Sequence, residues 1–199
     1  MKRFLAENFN ISGKISQSLH GEDIMLWRYF QGIKDGFFID VGAYLPKLFN
    51  NTWRLRKKLG FKGINIEPTN RINYFNLFRR DDINLKCAVG KENKMIDFYL
   101  SDQPASSGKL AEGKKITVPQ LTLSLIVEEY QVKKIDLLDI DVEGTEMEVL
   151  EGYDWRVMPS LILIEDDKDT ENKIYNYLTP AYRLIGKTPL NSLYELKKR

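Results

Sequence analysis

Apolar residues in this chain come in short unbroken runs, separated by stretches with helical spacing. The first run, Gly36-Phe37-Phe38-Ile39-Asp40-Val41-Gly42-Ala43-Tyr44, sets one aspartate among four strand-favouring apolar residues. A wholly apolar strand suits the middle of a parallel sheet whose two faces are covered by helices. Gly63-Ile64-Asn65-Ile66 predicts a second such strand, and residues 83–90 predict a third that ends in a turn, with a short strand at 95–100 beside it. Residues 135–142 and 161–164 predict two more central strands. Helical stretches fall between them at 24–30, 53–59, 70–80, 121–130 and 173–178. Asn51 or Thr52 can cap the second helix and Gly60 can stop it. In the third, Tyr74, Phe75, Leu77 and Phe78 are expected to face inward. Strands at 182–186 and 192–196, joined by Thr188-Pro189-Leu190-Asn191, predict a closing hairpin. Residues 1–15 are weakly patterned, as a short helix or an arm would be. Residues 101–115 are rich in Ser, Gly and Lys and hold Pro104, which marks a surface loop. Such a loop can act as a lid, with Ser106 and Ser107 near an acceptor.

Candidate chemistry collects where the strands end. Asp40 falls at the C-terminal end of the first strand, where open α/β sheets bind ligands in a crevice. Gly42 lets the backbone turn and approach a ligand closely, and is expected to leave backbone N–H groups free for an anionic group at the following helix. Glu67-Pro68 closes the second strand; an acidic residue about 20 residues past such a turn accepts ribose hydroxyls, and a carboxylate can accept both. These features read as the first strand and cofactor loop of a nucleotide-type α/β domain. The polar run Ser16-Gln17-Ser18-Leu19-His20-Gly21-Glu22-Asp23 precedes a helix. Its acids suit the positive end of the helix dipole and can serve as caps or as ligand contacts. His20 can act as a base near neutral pH. Asp139 and Asp141 share one side of their strand by its period of two, with Glu143 just beyond. The next strand ends in Glu165-Asp166-Asp167. If the two strands are neighbours, their acids crowd one sheet edge and either raise one another's pKa or recruit a cation. Strongly perturbed carboxylates gather at functional sites.

Composition narrows the classes. The 199 residues are 43% hydrophobic and 29% charged, ordinary for a globular domain and long enough for a sizeable core. Lys and Arg total 30 against 28 acids, so a net charge of +2 demands no nucleic-acid partner. One cysteine, Cys87, and one histidine, His20, rule out a disulfide framework and a Cys/His zinc centre. No apolar run reaches the length of a membrane span, and the charged N-terminus lacks a signal-peptide core, so a cytoplasmic location is expected.

Taken together, Ser16-Gln17 with Gly21-Glu22-Asp23, Phe38-Ile39-Asp40-Val41-Gly42-Ala43, Pro46 with Asn51-Thr52, Gly63-Ile64-Asn65-Ile66-Glu67-Pro68, Ala88-Val89 and Asp139-Ile140-Asp141-Val142-Glu143-Gly144-Thr145-Glu146 resemble the FkbM family of S-adenosylmethionine-dependent methyltransferases. The resemblance runs from about residue 16 to the end. It implies a Rossmann-like class I methyltransferase fold: a seven-stranded, mostly parallel sheet with a C-terminal antiparallel hairpin and helices on both faces. Residues 1–199 then form a single domain, with 1–30 as N-terminal arm and helix and 36–199 as core. Two departures stand out: Tyr44 and Pro46 replace further glycines of the usual methyltransferase loop, and Asp139 stands where many relatives carry Lys or Ser.

The resemblance implies O-methylation of a hydroxyl on a sugar, glycan or small natural product, with S-adenosylmethionine as cofactor. Asp40, Gly42 and Ala43 would hold its methionine end, Glu67 with Pro68 the ribose, and Cys87, Ala88 and Val89 the adenine edge. Gln17 and Glu22 would line the entrance. An alkyl hydroxyl is a poor nucleophile until it loses its proton, so a base is expected: Asp141 and Glu143 first, then Glu165 and His20, with Asp141 also near the cofactor. A metal-free site is expected, because the family does not by itself imply an ion. A nicotinamide-dependent oxidoreductase would also use Asp40, Gly42 and Glu67, though normally with a fuller glycine loop, and a non-catalytic cofactor-binding module would lack the base.

Overall fold

A computed structural model describes residues 16–100, 113–166 and 170–198. The expected arm at 1–15, Asp167 and most of the candidate lid, Ser106 and Ser107 included, lie outside the described residues. Of the lid's last residues, Lys114 and Lys115 open a strand.

Chain order gives α1 (Glu22–Tyr29), β1 (Phe37–Val41), α2 (Trp53–Leu59), β2 (Lys62–Ile66), α3 (Ile72–Phe78), β3 (Ile83–Leu85), β4 (Ala88–Val89), β5 (Lys94–Leu100), β6 (Lys114–Leu121), α4 (Leu123–Glu129), β7 (Leu137–Ile140), α5 (Glu146–Glu151), β8 (Leu161–Glu165), α6 (Glu171–Leu178), β9 (Tyr182–Lys187) and β10 (Asn191–Leu196). Seven strands form one sheet in the order β3-β2-β1-β7-β8-β10-β9. Only β10 runs against its neighbours β8 and β9, so the sheet is the mostly parallel one with an antiparallel C-terminal hairpin that the sequence predicts. The central strands are apolar because both faces are covered. Ile39, Val41, Ile64, Ile66, Leu138, Ile140, Ile162 and Ile164 pack against the face that carries α4, α5 and α6. Phe38, Leu137, Leu161 and Leu163 pack on the other face with Met25, Leu26 and Phe30 of the α1 region and Leu55 of α2.

Five expectations need correction. The strand at 83–90 is two strands: β3 pairs with β2 in the main sheet, whereas β4 pairs with β6 in a separate three-stranded sheet of order β4-β6-β5. The short strand at 95–100 pairs with β6 and not with that third strand. Strand β6 itself was hidden by its lysines and by Pro119. The proline is tolerated because β4 reaches only Gln120 and Leu121, so the missing N–H costs no bond on that side. The fourth helix therefore starts later, at Leu123, capped by the Thr122 hydroxyl, which accepts from the Leu125 amide at 3.2 Å. In α3 only Ile72 and Phe75 are buried, while Tyr74, Leu77 and Phe78 are exposed. The inward position one turn beyond Phe75 belongs to Arg79, which is fully buried. At the start of α2, neither Asn51 nor Thr52 caps by its side chain; Asn50 Oδ1 accepts from the amides of Thr52 at 3.1 Å and Trp53 at 2.8 Å. Gly60 does end the helix, in a left-handed conformation.

Candidate active site

A cavity of about 420 Å³ lies over the C-terminal ends of β1, β2, β7 and β8, within the usual size range for small-molecule sites. The predicted residues His20, Glu22, Gly42, Glu67, Pro68, Cys87, Ala88, Val89, Asp141, Glu143 and Glu165 all line it. Gln17, Asp40 and Ala43 do not form its wall. The Gln17 backbone N–H donates to Asp23 Oδ2 at 3.0 Å, Ala43 packs with Ile72 and Phe75, and Asp40 faces a buried polar network.

That network centres on Arg79. Its Nε donates to the Pro46 carbonyl at 2.9 Å, and Nη1 donates to Thr52 Oγ1 and to Asn65 Oδ1, each at 2.8 Å. Nη2 donates to Asn50 Oδ1. Asp40 accepts from Thr52 Oγ1 at 2.7 Å and Asn50 Nδ2 at 3.2 Å. Burial pushes the Asp40 pKa up against the pull of Arg79, and burial brings the guanidinium down to about 10. Asp40 thus anchors the loop between β1 and α2, which carries the cavity residues Tyr44, Phe49 and Asn51. Asp139 sits beside Asp40 in register across β1 and β7. It is buried and accepts from Asn51 Nδ2 at 3.3 Å, and burial followed by the nearby Asp40 and Asp141 raises its pKa well above the usual carboxylate range. Asp139 therefore stays beneath the strand end, while Asp141, two residues on, reaches the cavity.

Gly42 is needed for the reason given by its neighbourhood. Its φ is +85°, and a Cβ there would lie 1.7 Å from the Asp141 carbonyl oxygen, so no side chain fits. The amides around it are not free for an anion, contrary to expectation: Gly42 and Ala43 both donate to the Ile66 carbonyl at 3.0 Å, and Tyr44 donates to Glu67 Oε2 at 3.2 Å. The next helix begins only at Trp53. Glu67 accepts also from the Thr69 amide at 2.9 Å, and its burial raises its pKa. Burial, followed by Glu129, likewise lifts the Cys87 thiol to about 12, which makes it an apolar wall and not a nucleophile.

At the opposite side, Asp141, Glu143 and Glu165 bring one oxygen each within 4.8 Å of one another. Glu143 has φ +58° and Gly144 φ +97°, a sharp turn that folds Glu143 back toward the trio. Its neighbour Glu146 is tied to the amides of Val142 at 3.2 Å and Gly144 at 3.0 Å. Burial, then the charge of Glu146, lifts Asp141 to about 7. Burial, then Asp141, lifts Glu143 to about 7 and Glu165 to about 9. The hydrogen bond between Asp141 and Glu165 lowers the first and raises the second, so Glu165 keeps the proton and donates it. These groups bind more protons folded than unfolded. Stability is therefore greatest below their unfolded pKa values and falls as pH rises through about 7 and then about 9. Melting of the chelator-treated protein is expected to drop between pH 6 and pH 9.5 on this account, with Glu165→Gln flattening the upper part. An unchanged slope in that variant would remove Glu165 as the source.

Sequence reasoning missed Tyr44, Asn51, Thr69, Arg71, Thr145 and Asn191 among the lining residues. Arg71 stacks its guanidinium 4.6 Å from the Tyr44 ring centroid, a contact that no linear spacing announces. Asn191, expected in the hairpin loop, opens β10 opposite Glu165.

A parallel sheet closed by an antiparallel hairpin, with a cavity over its strand ends walled by Gly42, Glu67 and an acid trio, defines a Rossmann-like methyltransferase domain. The description "Methyltransferase FkbM domain" matches residues 40–182, more than two thirds of the chain, and the chain belongs to the FkbM methyltransferase family. None of the curated proteins compared with it matches in sequence. Membership implies a methyl donor. No helix among the described residues is long and apolar enough to cross a membrane.

Proposed function

We propose that the protein methylates a hydroxyl oxygen on a sugar, glycan or small natural product, with S-adenosylmethionine as donor. The observation that carries this reading is that one cavity joins Glu67, at the end of β2, to the carboxyl trio at the ends of β7 and β8. The residues fit the donor. Gly42 lets the turn after β1 pass against the Asp141 backbone, where any side chain would strike its carbonyl oxygen, and Glu67 uses one lone pair of each oxygen on a loop amide, which leaves acceptor capacity for two ribose hydroxyls. Cys87, Ala88 and Val89 offer an apolar edge for the adenine. When bound, S-adenosylmethionine supplies an already activated methyl group. The chain's own task is then to hold the acceptor oxygen in line with that methyl and to remove the hydroxyl proton. Asp141 and Glu143, with pKa values raised to about 7, are matched to proton removal near neutral pH, and Glu22 and His20 complete the acceptor wall.

A dinucleotide-dependent oxidoreductase is the weaker reading. It would need free amides at a helix N-terminus for a pyrophosphate, and those of Gly42, Ala43 and Tyr44 are already used. Calorimetric titration with S-adenosylmethionine and with NAD separates the two: binding of the first alone is expected, and binding of NAD alone would overturn the proposal. Glu67→Ala is expected to weaken S-adenosylmethionine binding by roughly 2–3 kcal/mol through loss of charge-assisted hydrogen bonds. An affinity within twofold of the parent would take Glu67 out of the donor site.

A further inference from the structure

We propose that Asp141, Glu143 and Glu165, together with the amide oxygen of Asn191, form a site for one hard divalent cation that holds the acceptor's oxygens beside the methyl donor. This departs from the metal-free expectation, and its acceptor half rests on the methyl-transfer reading above.

Two independent observations carry it. The first is the spacing of the trio, whose oxygens lie within 4.8 Å of one another. Oxygens on opposite sides of one ion are about 4.2 Å apart for magnesium and up to about 5.2 Å for calcium, so the three can close on a single ion with little movement. Among the described residues no lysine or arginine forms an ion pair with any of them. Arg71, the cation in the same wall, is stacked on Tyr44.

The second observation is Asn191. It lies directly opposite Glu165 in the antiparallel register of β10 and β8, so both side chains leave the same face of the sheet. It is 6% exposed and lines the same cavity. Its Nδ2 donates to Glu22 Oε1 at 3.3 Å, which fixes which end of the amide is oxygen. That Oδ1 is buried and has no hydrogen-bond partner among the described residues. A buried amide oxygen without a donor is unfavourable unless something electropositive meets it, and a cation held by the neighbouring Glu165 would do so. Carboxylate and amide oxygens are the donor set that hard cations prefer. With four protein oxygens, an octahedral ion keeps two positions. They suit two adjacent oxygens of one acceptor, as in a vicinal diol, and an ion-bound hydroxyl loses its proton more readily.

The test uses the full chain freed of metal by chelator and titrated with manganese(II), followed by electron paramagnetic resonance and calorimetry. One ion per chain is expected, with affinity falling at least tenfold in Glu165→Gln and severalfold in Asn191→Ala. Both variants are checked for parental near-UV circular dichroism and cofactor binding. Manganese binding that is absent from the parent, or equal in parent and in the folded Glu165→Gln variant, overturns the cation site. S-adenosylmethionine titrated into the same metal-free protein separates the two claims. Donor binding without manganese binding removes the cation and leaves the methyl-transfer reading standing, whereas manganese binding without donor binding does the reverse. Full methyl transfer in the presence of chelator would also overturn the site.

Discussion

Replacing Arg79 by methionine is expected to destabilise the protein by about 3–5 kcal/mol, the cost of breaking a buried ionic network by removing one partner. Arg79 is fully buried, and its guanidinium lies 5.2 Å from the Phe75 ring centroid and 5.6 Å from that of Trp53. Methionine can refill much of the apolar volume, so the loss is mainly electrostatic and polar. Asp40 loses the charge that opposes its desolvation, and Asp82 loses a nearby positive charge that favours its ionised form while keeping its ion pair with Arg56 at 3.2 Å. Pro46 O, Asn50 Oδ1 and Asn65 Oδ1 each lose a donor. The loop that carries Tyr44, Phe49 and Asn51 should loosen with them, so donor affinity is expected to fall even where the variant is folded. Urea unfolding measures the stability change, with the exposed Arg80→Met as the neighbouring control, expected within about 0.5 kcal/mol of the parent. A loss below about 1 kcal/mol for Arg79→Met would show that the network is not what holds the loop.

The same residue shows where sequence reading reached its limit. Along α3 two stripes obey helical spacing: Ile72, Phe75 and Arg79, and Tyr74, Leu77 and Phe78. Hydrophobicity favours the second, but the structure buries the first, because Asp40, Asn50, Thr52 and Asn65 wait on that side with polar groups to satisfy. Nothing in the local sequence separates Arg79 from Arg80; the difference is made by residues as distant as Asp40. By contrast, β1, β2, β7 and β8 were legible because strands covered on both faces must be apolar throughout, and the acids that interrupt or end them are then conspicuous. The hairpin was legible from its turn residues. Strand β6 was not, since an edge-like pattern of lysines and a proline reads as loop until β4 and β5 are seen on either side of it. Site residues that follow a strand end, such as Gly42, Glu67 and Asp141, could be placed from order alone. Asp40 was placed at the correct strand end but faces the wrong way: the period of two sends it with Phe38 toward α2 while Val41 and Gly42 border the cavity.

Asp141→Asn is expected to lower methyl transfer by about 10²-fold or more while leaving donor affinity nearly unchanged. The substitution keeps the shape of the side chain, so the backbone contact between the Asp141 carbonyl and Gly42 and the Asp141 amide bond to the Val41 carbonyl at 2.9 Å are retained, and the fold should persist. What is lost is negative charge beside Glu143 and Glu165, in the one place among the described residues where three such carboxyl groups converge. Whether Asp141 takes the acceptor's proton itself or holds a cation that acidifies the hydroxyl, an amide can do neither as well, so the rate falls in both cases. Excess manganese separates the two routes: it should recover part of the lost rate if Asp141 acts through an ion, and none if Asp141 is the base. The measurement is single-turnover transfer of a labelled methyl group to a hydroxyl acceptor that the parent protein accepts, with donor affinity followed by calorimetry on the same preparations. If the variant turns over at the parental rate, the acid trio is not where the acceptor is activated. Transfer would then have to rely on His20 and Glu22, which line the same cavity. A fall in donor affinity that matches the fall in rate would instead assign Asp141 to the cofactor, the second role that its position at the end of β7 allows.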